Sequence, residues 1–228
     1  MIQYFVVLMI ITFVLYSLKT NKIKENFNMK GNINDCYSNV MSEKEENILY
    51  QLIEIWNKIS KELDIRWSVC AGTYIGVKRH KGRIPWDDDF DLTVMKKDVP
   101  KFKNMGKILS KYNVSLVKFW GGYKIFFNDH RGVKKFKKYG WNWPFIDIFA
   151  TVGNKRAPNG SPDCGFLKKS EFPLKKVNFG NTHVYMYENP SKTRKCIRDT
   201  RWKKELLDIG YRHQTERKIK KKCKARKI

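Results

Sequence analysis

The sequence predicts a single α/β (α+β) domain, and three observations predict it. A capped amphipathic stretch over 43–63 has helical periodicity, apolar runs at 66–71, 89–95 and 143–149 read as strands, and two further apolar segments flank Gly121-Gly122 at hairpin spacing. At 228 residues the chain is long enough for one sizeable domain with its own core, and an aromatic content of 14% argues for packing rather than disorder.

The elements follow in order. Ile2 to Leu18 is a run of seventeen residues without a charge, at the lower limit of a membrane span. It lacks a basic leader and a small-x-small cleavage site, so 1–18 reads as a retained single-pass anchor, with secretion after signal cleavage as the alternative. Lys19, Lys22, Lys24 and Lys30 would hold the downstream side in the cytosol by the positive-inside tendency. Residues 19–42 are polar and aperiodic, a linker. Ser42 and Glu45 form a capping-box pattern, and Ile48, Leu49, Leu52, Ile53, Ile55, Trp56, Ile59 and Leu63 make one apolar stripe. The strand at 66–71 leads into Gly72-Thr73, with a short helix expected over 74–80. A strand over 89–95 and a helix over 98–110 with Phe102, Met105, Ile108 and Leu109 inward come next. The hairpin pairs 114–120 with 123–128, and 154–163 is a Gly/Pro/Asn loop. From Arg212 onward there are nine Lys or Arg and a single Glu, which reads as a solvated tail over 211–228 or, functionally, a contact for acidic lipid or polyanion.

Charge is the outstanding feature of the composition. A formal net charge of +25 favours anionic partners such as nucleic acid, acidic membrane or phosphorylated substrates, although lysine enrichment also follows from an A+T-rich genome. The five cysteines show no zinc-ligand spacing, and their odd number describes no complete disulfide framework. A reducing compartment and one or two incidental bridges fit equally.

Against that basic background, Asp87, Asp88, Asp89 and Asp91 place four carboxylates within five positions. Such crowding is costly unless cations neutralise it, and hard divalent ions are the usual partners of clustered carboxylate oxygens. On a strand, Asp89 and Asp91 share a face, with Asp87 beside them if extension starts early, while Asp88 and Phe90 face the other way. Upstream, Gly72 lets backbone amides approach a phosphate and Thr73 adds a hydroxyl, while Lys78, Arg79, His80, Lys81 and Arg83 supply basic groups between. Asp147 stands in the apolar run Phe145-Ile-Asp-Ile-Phe149, where a carboxylate needs a polar or metal-bearing face. His130, His183 and His213 are isolated and read as surface or hydrogen-bonded positions.

The stretch Gly72-Thr-Tyr-Ile-Gly-Val-Lys-Arg-His-Lys-Gly-Arg-Ile-Pro-Trp-Asp-Asp-Asp-Phe-Asp91 resembles the signature of the LicD family, which includes the fukutin-related proteins. It departs mildly at Tyr74, Ile75 and Phe90, and adds a charge at Arg83. The resemblance extends over roughly 45–205, with further likeness at 143–149 and 172–190. It implies a nucleotidyltransferase-like domain over 43–210, a small mixed sheet with flanking helices behind the N-terminal anchor. It also implies transfer of a phospho-alcohol, phosphocholine or ribitol or glycerol phosphate, from a CDP-activated donor to a glycan hydroxyl.

On that reading Asp89, Asp91 and Asp147 are catalytic and hold Mg²⁺ or Mn²⁺, with Asp87 as an extra ligand. Gly72, Thr73, Lys78, Arg79 and His80 bind the donor, and Asp88 braces the loop against Arg79, Arg83 or a backbone amide. Two rivals come from other classes: a nucleotidyltransferase acting on nucleic acid or a nucleotide-sugar, and an inactive membrane-tethered binding protein. The first predicts steeply salt-dependent nucleic-acid binding. The second predicts a folded domain without metal affinity.

Overall fold

The computed structural model describes residues 37–119, 121–129, 134–136, 138–150, 164–192, 194–198, 200–206, 211–214, 217–218 and 226–227. The expected anchor at 1–18, residues 19–36 of the expected linker, the 154–163 loop and His130 lie outside them. Among the described residues no helix is long and apolar enough to cross a membrane. The chain divides into two compact units, Met1–Ser38 and Asn39–Ile228, and every helix and strand described belongs to the second.

Helix α1 (Glu43–Glu62) begins where expected, because Ser42 Oγ accepts from the Glu45 amide and the Glu45 carboxylate accepts from the Ser42 amide. Its buried face carries Ile48, Leu49, Leu52, Ile53, Trp56 and Ile59. Trp56 meets Trp67 edge-on at 6.1 Å, and Trp67 Nε1 donates to Ser60 Oγ, so the helix and the first strand are joined by both packing and a hydrogen bond.

Five strands make one mixed sheet in the order β1 (Trp67–Val69), β2 (Phe90–Val94), β7 (Ile146–Phe149), β4 (Gly122–Phe127), β3 (Val114–Phe119). Only β2 and β7 run parallel; the other neighbours are antiparallel. The register puts Trp67, Val69, Phe90, Leu92, Val94, Ile125, Ile146 and Ile148 on one face, where all belong to the core with α1 and α3 (Phe102–Ser110). Each fully buried Leu, Ile or Val contributes roughly 1.5–3 kcal/mol. The opposite face takes Asp91, Thr93, Lys124 and Asp147. The helix expected over 98–110 is divided, with a 3-10 turn over Lys96–Lys101 ahead of α3, because Pro100 has no amide hydrogen to continue an α-helical ladder.

Gly122 shows why the hairpin turns where it does. Its φ is +146°, and a Cβ there would collide with the Ile148 carbonyl of the neighbouring strand. A second hairpin, β8 (Leu174–Phe179) with β9 (Thr182–Tyr187), lies against β1 and α1, the Tyr187 amide donating to Ser68 Oγ and Asn57 Nδ2 to the His183 carbonyl. Short pairs complete the order: β5 (Lys134–Phe136) with β6 (Trp141–Trp143), β10 (Glu205–Leu206) with β13 (Arg226–Lys227), and β11 (Tyr211–Arg212) with β12 (Arg217–Lys218).

Two covalent and ionic ties secure the segment after β7. Cys70 and Cys164 are bridged, with Cα atoms 5.6 Å apart across 94 residues of sequence. This is one of the incidental bridges that the sequence allowed. Glu171 and Arg194 form a wholly buried bidentate pair, and Arg194 also donates to the carbonyls of Gly165 and Phe166. Hydrogen bonds from Arg194 and the Lys168 and Ser191 amides lower the Glu171 pKa despite its burial.

Candidate active site at the carboxylate face of the sheet

Register builds the centre of the site. Asp91 on β2 lies beside Asp147 on β7, and Asp147 lies beside Lys124 on β4, so one row of three strands carries acid, acid, base on one face. Asp89 precedes β2 by one residue and joins this row through the loop. Lys124 Nζ stands 2.5 Å from Asp147 Oδ1, with both side chains almost wholly buried. The ammonium is also 3.5 Å from the centroid of Phe145, 4.8 Å from Phe119 and 5.1 Å from Trp141. An aromatic cage of this kind stabilises a cation withdrawn from water.

The loop feeding the acids into β2 is organised by Arg83. Its guanidinium donates to the carbonyls of Ile84, Pro85 and Asp87 and to Asn39 Oδ1, and it pairs with Glu46 at 3.5 Å. The charge that Arg83 adds to the family-like stretch is therefore spent on the loop's own backbone. Trp143 Nε1 donates to the Asp88 carbonyl at 2.6 Å. Asp88 is fully buried, and its two oxygens accept from the backbone amides of His213 (3.1 Å) and Gln214 (2.7 Å). Of the braces expected for Asp88, the backbone amide is the one found.

The helix following β1 starts earlier than expected. It spans α2 (Ala71–His80), so Gly72 and Thr73 form its first turn rather than a strand end. First-turn amides lack intrahelical acceptors and face anions well. Gly72 abuts the carboxylates so closely that a Cβ there would lie 2.5 Å from Asp87 Oδ2. Thr73 Oγ1 accepts the Asp91 amide at 2.8 Å, tying the helix to β2. Lys78 and Arg79 stand near the far end of α2, about 10 Å along the axis. Arg79 donates to the carbonyls of Trp202 and Glu205 and to His80 Nε2, and its guanidinium lies over Trp86. His80 packs edge-on to Trp86, and its pKa is lowered to about 4 by burial and by the nearby Arg79 and Arg83 charges.

Burial, with crowding second to it, makes Asp87, Asp89 and Asp91 resist ionisation. Burial first, then Asp88, raises the Asp87 pKa to about 6, with Arg83 and His213 opposing. Burial raises Asp89 and Asp91 well above the carboxylate range; neighbouring aspartates add to this, while His213 opposes it at Asp89 and Lys124 at Asp91. Donor atoms of Asp87, Asp88 and Asp89 lie within 4.8 Å of one another, as do those of Asp89, Asp147 and His213. All-oxygen or oxygen–imidazole donors at such spacing, short of positive charge, fit a hard or borderline divalent ion. Asp91 belongs to neither trio but neighbours Asp147 in the sheet.

A pH dependence with a definite sign follows. Asp87 binds its proton more tightly folded (pKa about 6) than unfolded (about 3.8), so metal-free stability is greatest below pH 4 as far as this group is concerned. It is lost as pH rises to about 6, a change on the order of 3 kcal/mol. Thermal unfolding in chelator from pH 4.5 to 7.5 should show the midpoint falling through this window. Divalent ion should reverse the trend, since its ligands must be deprotonated.

Lys124 and His213 were both missed by sequence reasoning. A lone lysine inside Gly122-Tyr-Lys-Ile-Phe-Phe127 carries the same signal that singled out Asp147. His213, set aside as isolated within a frayed tail, instead places Nε2 3.1 Å from Asp89 Oδ2. Residues 211–214 therefore belong to the folded site and not to a free tail.

Comparison with known proteins agrees with this geometry. The family profile described as LicD/FKTN/FKRP, nucleotidyltransferase domain, matches residues 64–189, more than half of the chain. An uncharacterized protein of Rickettsia typhi is 30% identical over 153 residues, which is 64% of this chain and 43% of that protein. The lipopolysaccharide cholinephosphotransferase LicD of Haemophilus influenzae is 30% identical over 59 residues, 26% of this chain and 22% of that protein. The match thus spans less than half the length of either relative. Among solved structures, the antibiotic-resistance factor ANT(2'')-Ia is similar at a TM-score of 0.40 and 12% identity, covering 67% of this chain and 82% of that one, too loosely to carry an argument.

Proposed function

The chain belongs to the LicD/FKTN/FKRP nucleotidyltransferase-domain family, and from that premise we propose that it transfers a phospho-alcohol from a CDP-activated donor to a glycan hydroxyl. The single observation that carries the reading is the row Asp91–Asp147 with Asp89 beside it, on one face of the sheet at the N-terminus of α2. The name of the Haemophilus relative supports phosphocholine as the first group to try, with CDP-choline as its donor.

In this reading Asp89, Asp91 and Asp147, with Asp87 as an additional oxygen, hold Mg²⁺ or Mn²⁺. Such an ion would neutralise the donor's diphosphate and the charge developing on the leaving oxygen. Asp147 takes the proton of the acceptor hydroxyl, whose oxygen forms the new bond to phosphorus as the bond to CMP breaks and CMP leaves with the electron pair. Lys124 fixes the Asp147 carboxylate from the side of Oδ1. The amides of Gly72 and Thr73 meet the diphosphate, with no side chain at Gly72 to block it. A donor laid along α2 then reaches Lys78 and Arg79, while His80 supports Arg79. Residues 1–18 anchor the domain beside its acceptor at a membrane.

The test is CMP release by the full chain with CDP-choline, CDP-ribitol, CDP-glycerol, CTP and UDP-sugars, with either ion and with an Asp89→Asn/Asp91→Asn control. Release from one CDP-alcohol, absent in the control, is the expected result. Turnover of CTP or a UDP-sugar alone would move the protein out of phospho-alcohol transfer, and a folded chain without any response would make it a binding protein.

A further inference from the structure

The family match ends at residue 189, yet a segment beyond it reaches into the carboxylate cluster. We propose that His213 is a protein ligand of the divalent ion, sharing it with Asp89 and Asp147 through Nε2, and that the turn after β11 exists to deliver it. The inference rests on the metal-dependent reading above and adds a ligand which that reading does not contain.

Three features support it. First, His213 Nε2 is 3.1 Å from Asp89 Oδ2, and one donor atom each from Asp89, Asp147 and His213 lie within 4.8 Å of one another. An octahedral ion with ligands at about 2.1 Å holds neighbouring donors about 3 Å apart and opposite ones about 4 Å apart. Small closures from the present positions bring all three onto one ion. Lys124 occupies only Oδ1 of Asp147, so the carboxylate retains a second oxygen.

Second, the imidazole is aimed by its own backbone. The amides of His213 and Gln214 clasp the two oxygens of Asp88, a residue one position from Asp89 in the loop. That clasp joins the turn to the acid-bearing loop rather than to the surface. The ring is held at 77° to Phe145, 5.2 Å away, and Phe145 also carries Lys124 on its face. Metal-ligating histidines need such fixing, because a freely rotating ring loses entropy on binding. Third, the site is rich in carboxylates: oxygens of Asp87, Asp88 and Asp89 lie within 4.8 Å of one another, beside the turn that carries His213.

An imidazole ligand has a consequence for ion choice. Nitrogen donors suit Mn²⁺ and later transition ions better than Mg²⁺, which prefers oxygen and keeps its water. The His213 arrangement therefore favours Mn²⁺, and its loss should flatten the preference.

The experiment is pulsed electron paramagnetic resonance of Mn²⁺ added to the full chain. Nitrogen modulation from one imidazole is expected, changing on ¹⁵N-histidine labelling and vanishing in His213→Gln. Calorimetry should show that variant binding Mn²⁺ at least about tenfold more weakly, with Mg²⁺ affinity altered much less. Mn²⁺ bound without nitrogen modulation in the unsubstituted chain would overturn the inference while leaving the metal site intact. No Mn²⁺ binding, or binding that survives Asp89→Asn/Asp147→Asn, would overturn the metal-site reading and this inference with it. The labelled unsubstituted chain decides the matter even if His213→Gln fails to fold.

Discussion

Replacing Asp89 and Asp91 together by asparagine is expected to lower CMP release at least about a thousandfold and, at the same time, to stabilise the metal-free protein. The first effect corresponds to about 4 kcal/mol of lost transition-state stabilisation, in the range found when electrostatic groups at a reacting centre are removed. The second has the opposite sign because both carboxyls resist ionisation in the folded chain, through burial first and neighbouring acids next. An amide of the same shape removes that repulsion and keeps the packing. The pair of measurements is CMP release under saturating donor and thermal midpoint in chelator at pH 7.5. A residue that is there to hold the fold together would lose stability on substitution. Loss of activity with a lowered midpoint would therefore refute the assignment as firmly as unchanged activity.

This opposition of sign also explains what the sequence could and could not reveal. Local rules sufficed for α1, whose capping box and stripe are all within one segment, and for the β3–β4 hairpin around Gly122. Asp147 was legible because a carboxylate among Phe145, Ile146, Ile148 and Phe149 violates the apolar pattern, and such violations mark functional positions. Lys124 violates its strand in the same way, but a lysine is easily discounted in a chain of net charge +25. The two violations are one feature, paired across β7 and β4, and only the register reveals it. Helix α2 begins three residues early because its first turn is fixed by distant groups, Asp91 bonding Thr73 and Asp87 crowding Gly72. Arg83 is similar: nothing local says that its guanidinium will gather the carbonyls of Ile84, Pro85 and Asp87. His213 left no signal, since its partners Asp88 and Asp89 are more than 120 residues away and its neighbours are those of a charged tail.

Lys124→Met is expected to destabilise the metal-free domain by about 3–5 kcal/mol, the cost of removing one partner from a buried ion pair. Methionine keeps the length of the stem and packs well against the rings of Phe119, Trp141 and Phe145, so the loss falls on Asp147, left almost wholly buried without its ammonium. Two further measurements isolate that cause. In Lys124→Met/Asp147→Asn no unpaired charge remains, so much of the stability should return, and the coupling between the sites should be several kcal/mol. If the double variant is as unstable as the single one, the lysine acts through packing and the ion pair is incidental. Divalent ion added to Lys124→Met should also restore stability by more than it adds to the unsubstituted chain, because the ion supplies the charge the lysine gave. Rescue by Mn²⁺ would mean that lysine and metal share the burden of one carboxylate. Asp147 then keeps a counter-charge before the ion arrives, so the three-strand row can fold as a preformed site.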